Sequence, residues 1–245
     1  MEAPRPHLFG LLAGLFLAVA LCVTAGLITH TWMRISDARV ITVTGSARKD
    51  VESDLVIWRS SFSAEAPTLL EAQQKLDADL AKVAAWLDLK GVKERQLQPV
   101  QIREIMARTK GAEPDEMPQR LGYRLSQAIE VQSSEVERIP QLAGESTALL
   151  EQGVAFLSEA FEFIYTKAGD AKVEMMAEAT KDARLRAEQI AAQGHRAIKE
   201  LRSARMGVIQ INPRYSGATS WEGNNDTSSR WKTITATVTA EFSLE

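Results

Sequence analysis

Three histidines, His7, His30 and His195, are where a general base or a metal ligand would first be sought. His7 and His30 flank a long apolar run, so only His195 belongs to the part of the chain that can fold, and no nucleophile–histidine–acid set can be drawn around it. It directly follows Gly194, a post-helix position where a histidine is commonly solvated. Two Ser-x-x-Lys spacings occur, Ser46 to Lys49 and Ser229 to Lys232. Serine acyl enzymes place that motif at the start of a helix beside further signatures, whereas both copies here fall at expected strand ends, where about one chance match is ordinary. Asp77 and Asp79 sit on the polar face of an expected helix, as solvated carboxylates do. No spacing suits a metal ion, a phosphate loop or a dinucleotide. The expected catalytic, cofactor and metal residues are therefore none.

The bulk chemistry is equally plain. Of 245 residues, 45% are apolar and 25% charged, and 29 basic against 32 acidic side chains leave a net charge of -3. A nucleic-acid binder would show a basic excess, so that class is set aside. The single cysteine, Cys22, lies inside the apolar run; the folded part can form neither an internal disulfide nor a thiolate metal site. Asn225-Asp226-Thr227 has the glycan-acceptor pattern, which matters only in a eukaryotic secretory pathway.

That apolar run, Leu8 to Ile28, carries no charge and is long enough to span a hydrocarbon core. It is longer than the usual hydrophobic region of a signal peptide, although cleavage-like triplets exist at Ala18-Val19-Ala20 and Val23-Thr24-Ala25. An uncleaved anchor is the expectation, with Trp32 at the interface. Arg5 on one side and Arg34, Arg39, Arg48 and Lys49 on the other do not settle its orientation.

Beyond the anchor the patterning is that of strands and helices in one domain. VITVTGSA and DLVIWRSSFS read as two strand runs around a charged connector. Thr68 and Glu71 have capping-box spacing before a leucine-rich helix that Gly91 ends. Val100, Ile102 and Met106 suggest a strand, Ala107 to Arg120 a loop, and LGYRLSQAIEVQSS a long strand. A second capping box, Ser134 and Glu137, predicts a helix over Val136–Gln152, followed by a short strand at Phe161–Lys167. A third helix runs from about Asp170 to Gly194, with alanines 179, 183, 187 and 191 in a stripe. MGVIQINP is a further strand, and a polar loop from Arg214 to Ser229 precedes WKTITATVTAEFSLE, which alternates without a break. The result is an α+β fold, with a mostly antiparallel or mixed sheet of about seven strands and about three helices on one face. The stretches Leu55–Met106 and Phe161–Ile211 repeat a strand–helix–strand order. The closing strand is longer than most, which suggests that it reaches past its own core.

The order VTGSA, SDLVIW, WLDLKGV, YRLSQAIEVQSSEVERI, KVEMMAEATKDARLRAEQIAAQG, MGVIQINP and DTSSRWKTITATVTAEFSL resembles the SIMPL-domain family over Val40 to Glu245. The resemblance implies a bacterial envelope protein of the periplasmic-antigen type, with an α+β domain that can assemble into large rings, some members being linked to stress tolerance. No catalytic residues come with it. It implies residues 1–7 in the cytoplasm, an inner-membrane single-pass anchor at 8–29, a juxtamembrane stretch at 30–39, and a domain at 40–245 in the periplasm. The expected function is a non-enzymatic scaffold or binding module, tethered to the membrane by its N-terminal helix and self-associating as a homo-oligomer. It needs no cofactor and has no nucleic-acid partner. The alternatives are an envelope hydrolase using carboxylates, and a small-ligand or peptide carrier with the loop around Trp221 as a lid.

Overall fold

A computed structural model describes residues 8–36, 40–107 and 119–245, with the side chains of the first stretch described at positions 10 and 12–31. Helix α1 spans Leu8–Ser36 and continues past residue 29. Its apolar window, Leu12–Thr31, is long enough to cross a bilayer, and none of it is buried. Cys22 is exposed on it. Most of the expected Ala107–Arg120 loop, the side chain of Trp32 and residues 37–39 lie outside the described residues. The chain divides into two compact units, a smaller one of residues 1–47, 176–207 and 237–245 and a larger one of residues 48–175 and 208–236.

The larger unit is built on a five-stranded sheet ordered β3-β5-β2-β6, with β4 also paired to β5. Its strands are β2 (Leu55–Ala66), β3 (Gln96–Leu97), β4 (Gln101–Ala107), β5 (Gln119–Ser133) and β6 (Ala155–Ile164), all antiparallel to their neighbours. Alternate residues of β2, namely Val56, Trp58, Phe62 and Ala64, are buried against helix α2 (Leu69–Leu89), α3 (Arg138–Glu145) and α4 (Ala148–Glu151). Those helices supply Leu76, Val83, Trp86, Ile139 and Leu149 to one core. The indole N–H of Trp58, in a fully buried side chain, donates to Ser158 Oγ at 2.9 Å. Helix α2 begins as its sequence predicts, with Thr68 Oγ1 accepting the Glu71 N–H. It ends at Gly91, whose φ of 77° is the left-handed turn that glycine adopts freely.

In the smaller unit, β1 (Val40–Glu52), β9 (Trp231–Leu244) and β7 (Ile198–Met206) lie in the order β1-β9-β7, and helix α5 (Ala168–Gln193) covers β1 and β9 from Met176 onward. Strands β1 and β9 continue into the larger unit, where β8 (Gln210–Pro213) pairs with β9. The alanine stripe is buried against Val43, Ala240 and Phe242. A Cβ on Gly45 would stand 2.2 Å from the Ala179 carbonyl oxygen and 2.3 Å from the Ala183 nitrogen. Helix backbone therefore rests directly on strand backbone, and glycine is there because nothing larger fits. The Ser46 N–H, on this edge strand, donates to Asp182 Oδ2 of α5 at 2.8 Å.

The α+β class is as expected, but among the described residues nine strands form two sheets, one packed by α2, α3 and α4 and the other by α5. The supposed charged connector at 48–52 is strand, and three of its four charges find partners on other segments. Lys49 pairs with Glu174, Asp50 with Arg214 and Glu52 with Arg230. The predicted helix over Val136–Gln152 is two short ones. Ser133, not Ser134, accepts the Glu135 N–H, and Glu137 makes no capping bond. Ser146, the residue that caps the first helix after Glu145, donates its Oγ hydrogen to the Ala143 carbonyl at 2.7 Å. Strand β6 begins six residues earlier than expected, at Ala155. MGVIQINP is split at Gly207 between β7 and β8. The length of β9 is used within the chain, since residues 232–235 pair with β8 and 238–244 with β7.

Candidate functional site

The residues singled out for catalysis are not gathered into a centre. The Ser46 backbone is held by Asp182, and Lys49 Nζ bonds Glu174, so each member of that motif has its own partner. Asp77 is exposed and accepts from Gln73 Nε2, while Asp79 pairs with Lys82 one turn on. His195 is exposed, at φ 52°, with its N–H on the Ala192 carbonyl, ending α5 as a solvated post-helix residue. Among the described residues, no group of three or more His, Cys, Asp or Glu side chains is arranged to hold a metal ion.

Lys232 has a more unusual setting. Its side chain is 1% exposed, and Nζ donates to both the carbonyl and the Oδ2 of Asp226, the latter at 3.2 Å. Asp226 also accepts the Ser228 N–H and hydroxyl through Oδ1 and the Ser229 N–H through Oδ2. Burial pushes the Asp226 carboxyl up, but these hydrogen bonds outweigh it and leave the group below its ordinary value. Burial likewise pushes the Lys232 ammonium down, against the pull of Asp226. Ser229 contributes its backbone to this knot, with its N–H on Asp226 and its carbonyl accepting from Ser53 Oγ, whereas the lysine's own bonds both go to Asp226. The arrangement clamps the Asn225–Ser229 segment onto β9. Asn225 itself bridges to Ile211, and Thr227 accepts the Phe163 N–H. A signal for the buried lysine was present: it continues the inward row of Ile234, Ala236 and Val238 by one more alternation.

The polar loop is pinned along its length. Gln210 binds Ser220 in both directions and accepts the Asn224 N–H, while Asn212 donates to the Ala218 carbonyl and accepts from Asn224 Nδ2. Trp221 stands on this braced loop 94% exposed. At the loop's entry, Arg214 lies over the rings of Tyr215 and Trp231, at 4.9 and 5.6 Å, and Arg230 lies 5.8 Å from Trp231. Asp50, Glu52 and Glu137 neutralise the two arginines.

Two concave regions accompany these features. On the threonine-bearing face of the smaller unit, Thr42, Thr239, Ser203, Arg205 and Glu241 border a hollow of about 210 Å³. Two of its hydroxyls are engaged, Thr239 with Thr44 at 3.0 Å and Ser203 with Glu241 at 3.0 Å. The larger unit has a groove of about 500 Å³ between the turn after α2 and the end of β5. The buried side chains of Val92, Val131 and Ile139, with Leu55, form its floor, and Lys93, Glu94, Gln132, Ser133, Ser134 and Glu135 make the rest of its lining polar. Composition and periodicity gave no hint of it, because it exists only where residues 91–95 swing away from a strand some forty positions on.

No curated protein matches this chain. The SIMPL model, which describes a protein family of unknown function (DUF541), matches residues 41–242. That span takes in both sheets, the alanine-striped helix, the pinned loop and the groove, and the chain belongs to the SIMPL family.

Proposed function

We propose that this protein is a non-enzymatic binding module and self-associating scaffold of the bacterial cell envelope, held to the inner membrane by α1 with its folded part in the periplasm and contributing to stress tolerance. What carries the reading is how the ionisable side chains are used. Lys232 and Asp226 lock a loop, Arg59 bridges Glu130 and Glu162 across three strands, and Asp54 takes both the N–H and the hydroxyl of Thr166 at 2.7 Å. These are groups committed to holding elements together, while the groove and the braced, exposed Trp221 offer recognition surface. The test is light scattering on the full-length chain in detergent, corrected for bound detergent. A mass several times the 27.0 kDa of one chain is expected. A clean monomer at micromolar concentration removes self-association.

A further inference from the structure

The polar loop and the segment that follows it are tied down by different chemistry. Between Ser216 and Asn224 the side-chain hydrogen bonds are made by Gln210, Asn212, Ser216, Ser220 and Asn224, none of which titrates. Residues 225–230, by contrast, are a strap held by ionised groups. The Asp226 carboxylate accepts from Lys232, Ser228 and Ser229, and Arg230 pairs with Glu52 and Glu137. Among the described residues, its other side-chain bonds run from Lys232 to the Asp226 carbonyl and from the Ser53 hydroxyl to the Ser229 carbonyl, the latter at 3.5 Å. The strap covers two sheet edges. Its Thr227 carbonyl accepts the Phe163 N–H of β6, and its Asp226 N–H donates to the Ile211 carbonyl of β8.

Asp226 is built for its ionised form. Its two oxygens accept from the Lys232 ammonium, the Ser228 N–H and hydroxyl, and the Ser229 N–H, and only that hydroxyl can turn round to receive an added proton. Lys232 stays charged in acid, and its side chain is 1% exposed. Beside a neutral Asp226 it keeps one carbonyl and no counter-charge, which the interior relieves by letting water reach the ion. Lys232 is fixed in place, because residues 232–235 are paired with β8, so it is the strap above it that yields. The neighbouring carboxylates act in the same direction or not at all. Glu52 on β1 and Glu137 before α3 lose their hold on Arg230 when protonated, while Asp50 engages Thr233 and Arg214, and Asp54 engages Thr166.

We infer that residues 225–230 are an acid-operated strap: protonation of Asp226 frees them from Lys232 and uncovers β6 at Phe163 and β8 at Ile211, while the loop at 216–224 stays in place. Burial raises the Asp226 carboxyl, but its hydrogen bonds outweigh burial and hold it below its ordinary value. The hold is therefore complete above about pH 4 and is lost as the pH falls further. This device goes beyond the proposed function and depends on neither its binding nor its self-association.

The test puts a nitroxide on the strap, through Thr227→Cys, or on the amide-held loop, through Thr219→Cys, both exposed positions. Each is made in the full-length chain in detergent with Cys22→Ser, and followed by electron paramagnetic resonance from neutral pH into acid. Circular dichroism on the same samples reports the fold. The label at 227 should pass reversibly to a mobile line shape with a midpoint below about pH 4, before the dichroism changes, while the label at 219 keeps its line shape. Asp226→Asn should make the label at 227 mobile already at neutral pH. The double variant Asp226→Asn/Lys232→Met, which has no buried charge to hydrate, should flatten the acid response. A label at 227 that stays immobile until the dichroism is lost, two labels that loosen together, or an undiminished acid response in the double variant would each overturn the inference. The two labels on otherwise native side chains decide the matter even where Asp226→Asn does not fold.

Discussion

In the larger unit, Trp58, Phe62, Leu76 and Trp86 fill the space between α2 and its sheet. In the smaller unit, Gly45 and the alanines at 179, 183 and 187 leave almost no space to fill. The first arrangement is sensitive to lost volume. The second is sensitive to added volume, since its helix and strand are already in backbone contact. One chain thus uses two ways of pressing a helix on a sheet, and they predict opposite responses to the same kind of substitution.

The largest effect belongs to the aromatic core. Trp58→Ala should cost about 3–5 kcal/mol in urea unfolding, through the cavity left in the core. Next comes the buried ion pair. Asp226→Ala strands the Lys232 charge and should cost about 3 kcal/mol, whereas the double variant Asp226→Ala/Lys232→Met, which leaves no buried charge unpaired, should cost less than the single one. Because the folded Asp226 carboxyl lies below its ordinary 3.8, its stabilising contribution is complete above that value and is lost as pH falls through the lower folded one. The stability gap between wild type and Asp226→Asn should therefore shrink as an acid titration passes below about pH 4. Gly45→Ala should destabilise by about 1–3 kcal/mol, by forcing α5 off β1. Gly144→Ala, where an added Cβ meets nothing within 4 Å, should instead stabilise by about 0.5–1 kcal/mol. Equal signs for the two glycines would erase the contrast between the units. The smallest effect is Thr239→Val on the open threonine face, expected within about 0.5 kcal/mol of zero.

Elements with one buried face and a local stop signal could be read from the residues alone. Helix α2 carries its own cap at Thr68 and its own terminator at Gly91, and β9 alternates because one side is covered throughout. Strand β7 was invisible for the converse reason. Residues Lys199 to Met206 are exposed on both faces, so no alternation is imposed on IKELRSARM. The division into two sheets was hidden because Arg48 to Glu52 look like a turn until the opposing charges on distant segments are in place. The alanine stripe was legible as close packing, but not as packing on Gly45, which depends on a pairing more than a hundred residues apart. The groove depends on where the chain departs from a sheet, and periodicity does not encode departures.

The carboxylate of Asp182, seated on the Ser46 amide, acts as a plug at one border of the three-strand layer formed by β1, β9 and β7. At the opposite border, Lys199, Glu200, Arg202 and Arg205 and two breaks in register make β7 a poor template for a newcomer. Copies of the chain brought close together would thus have little purchase for accreting into fibres through the borders of this layer.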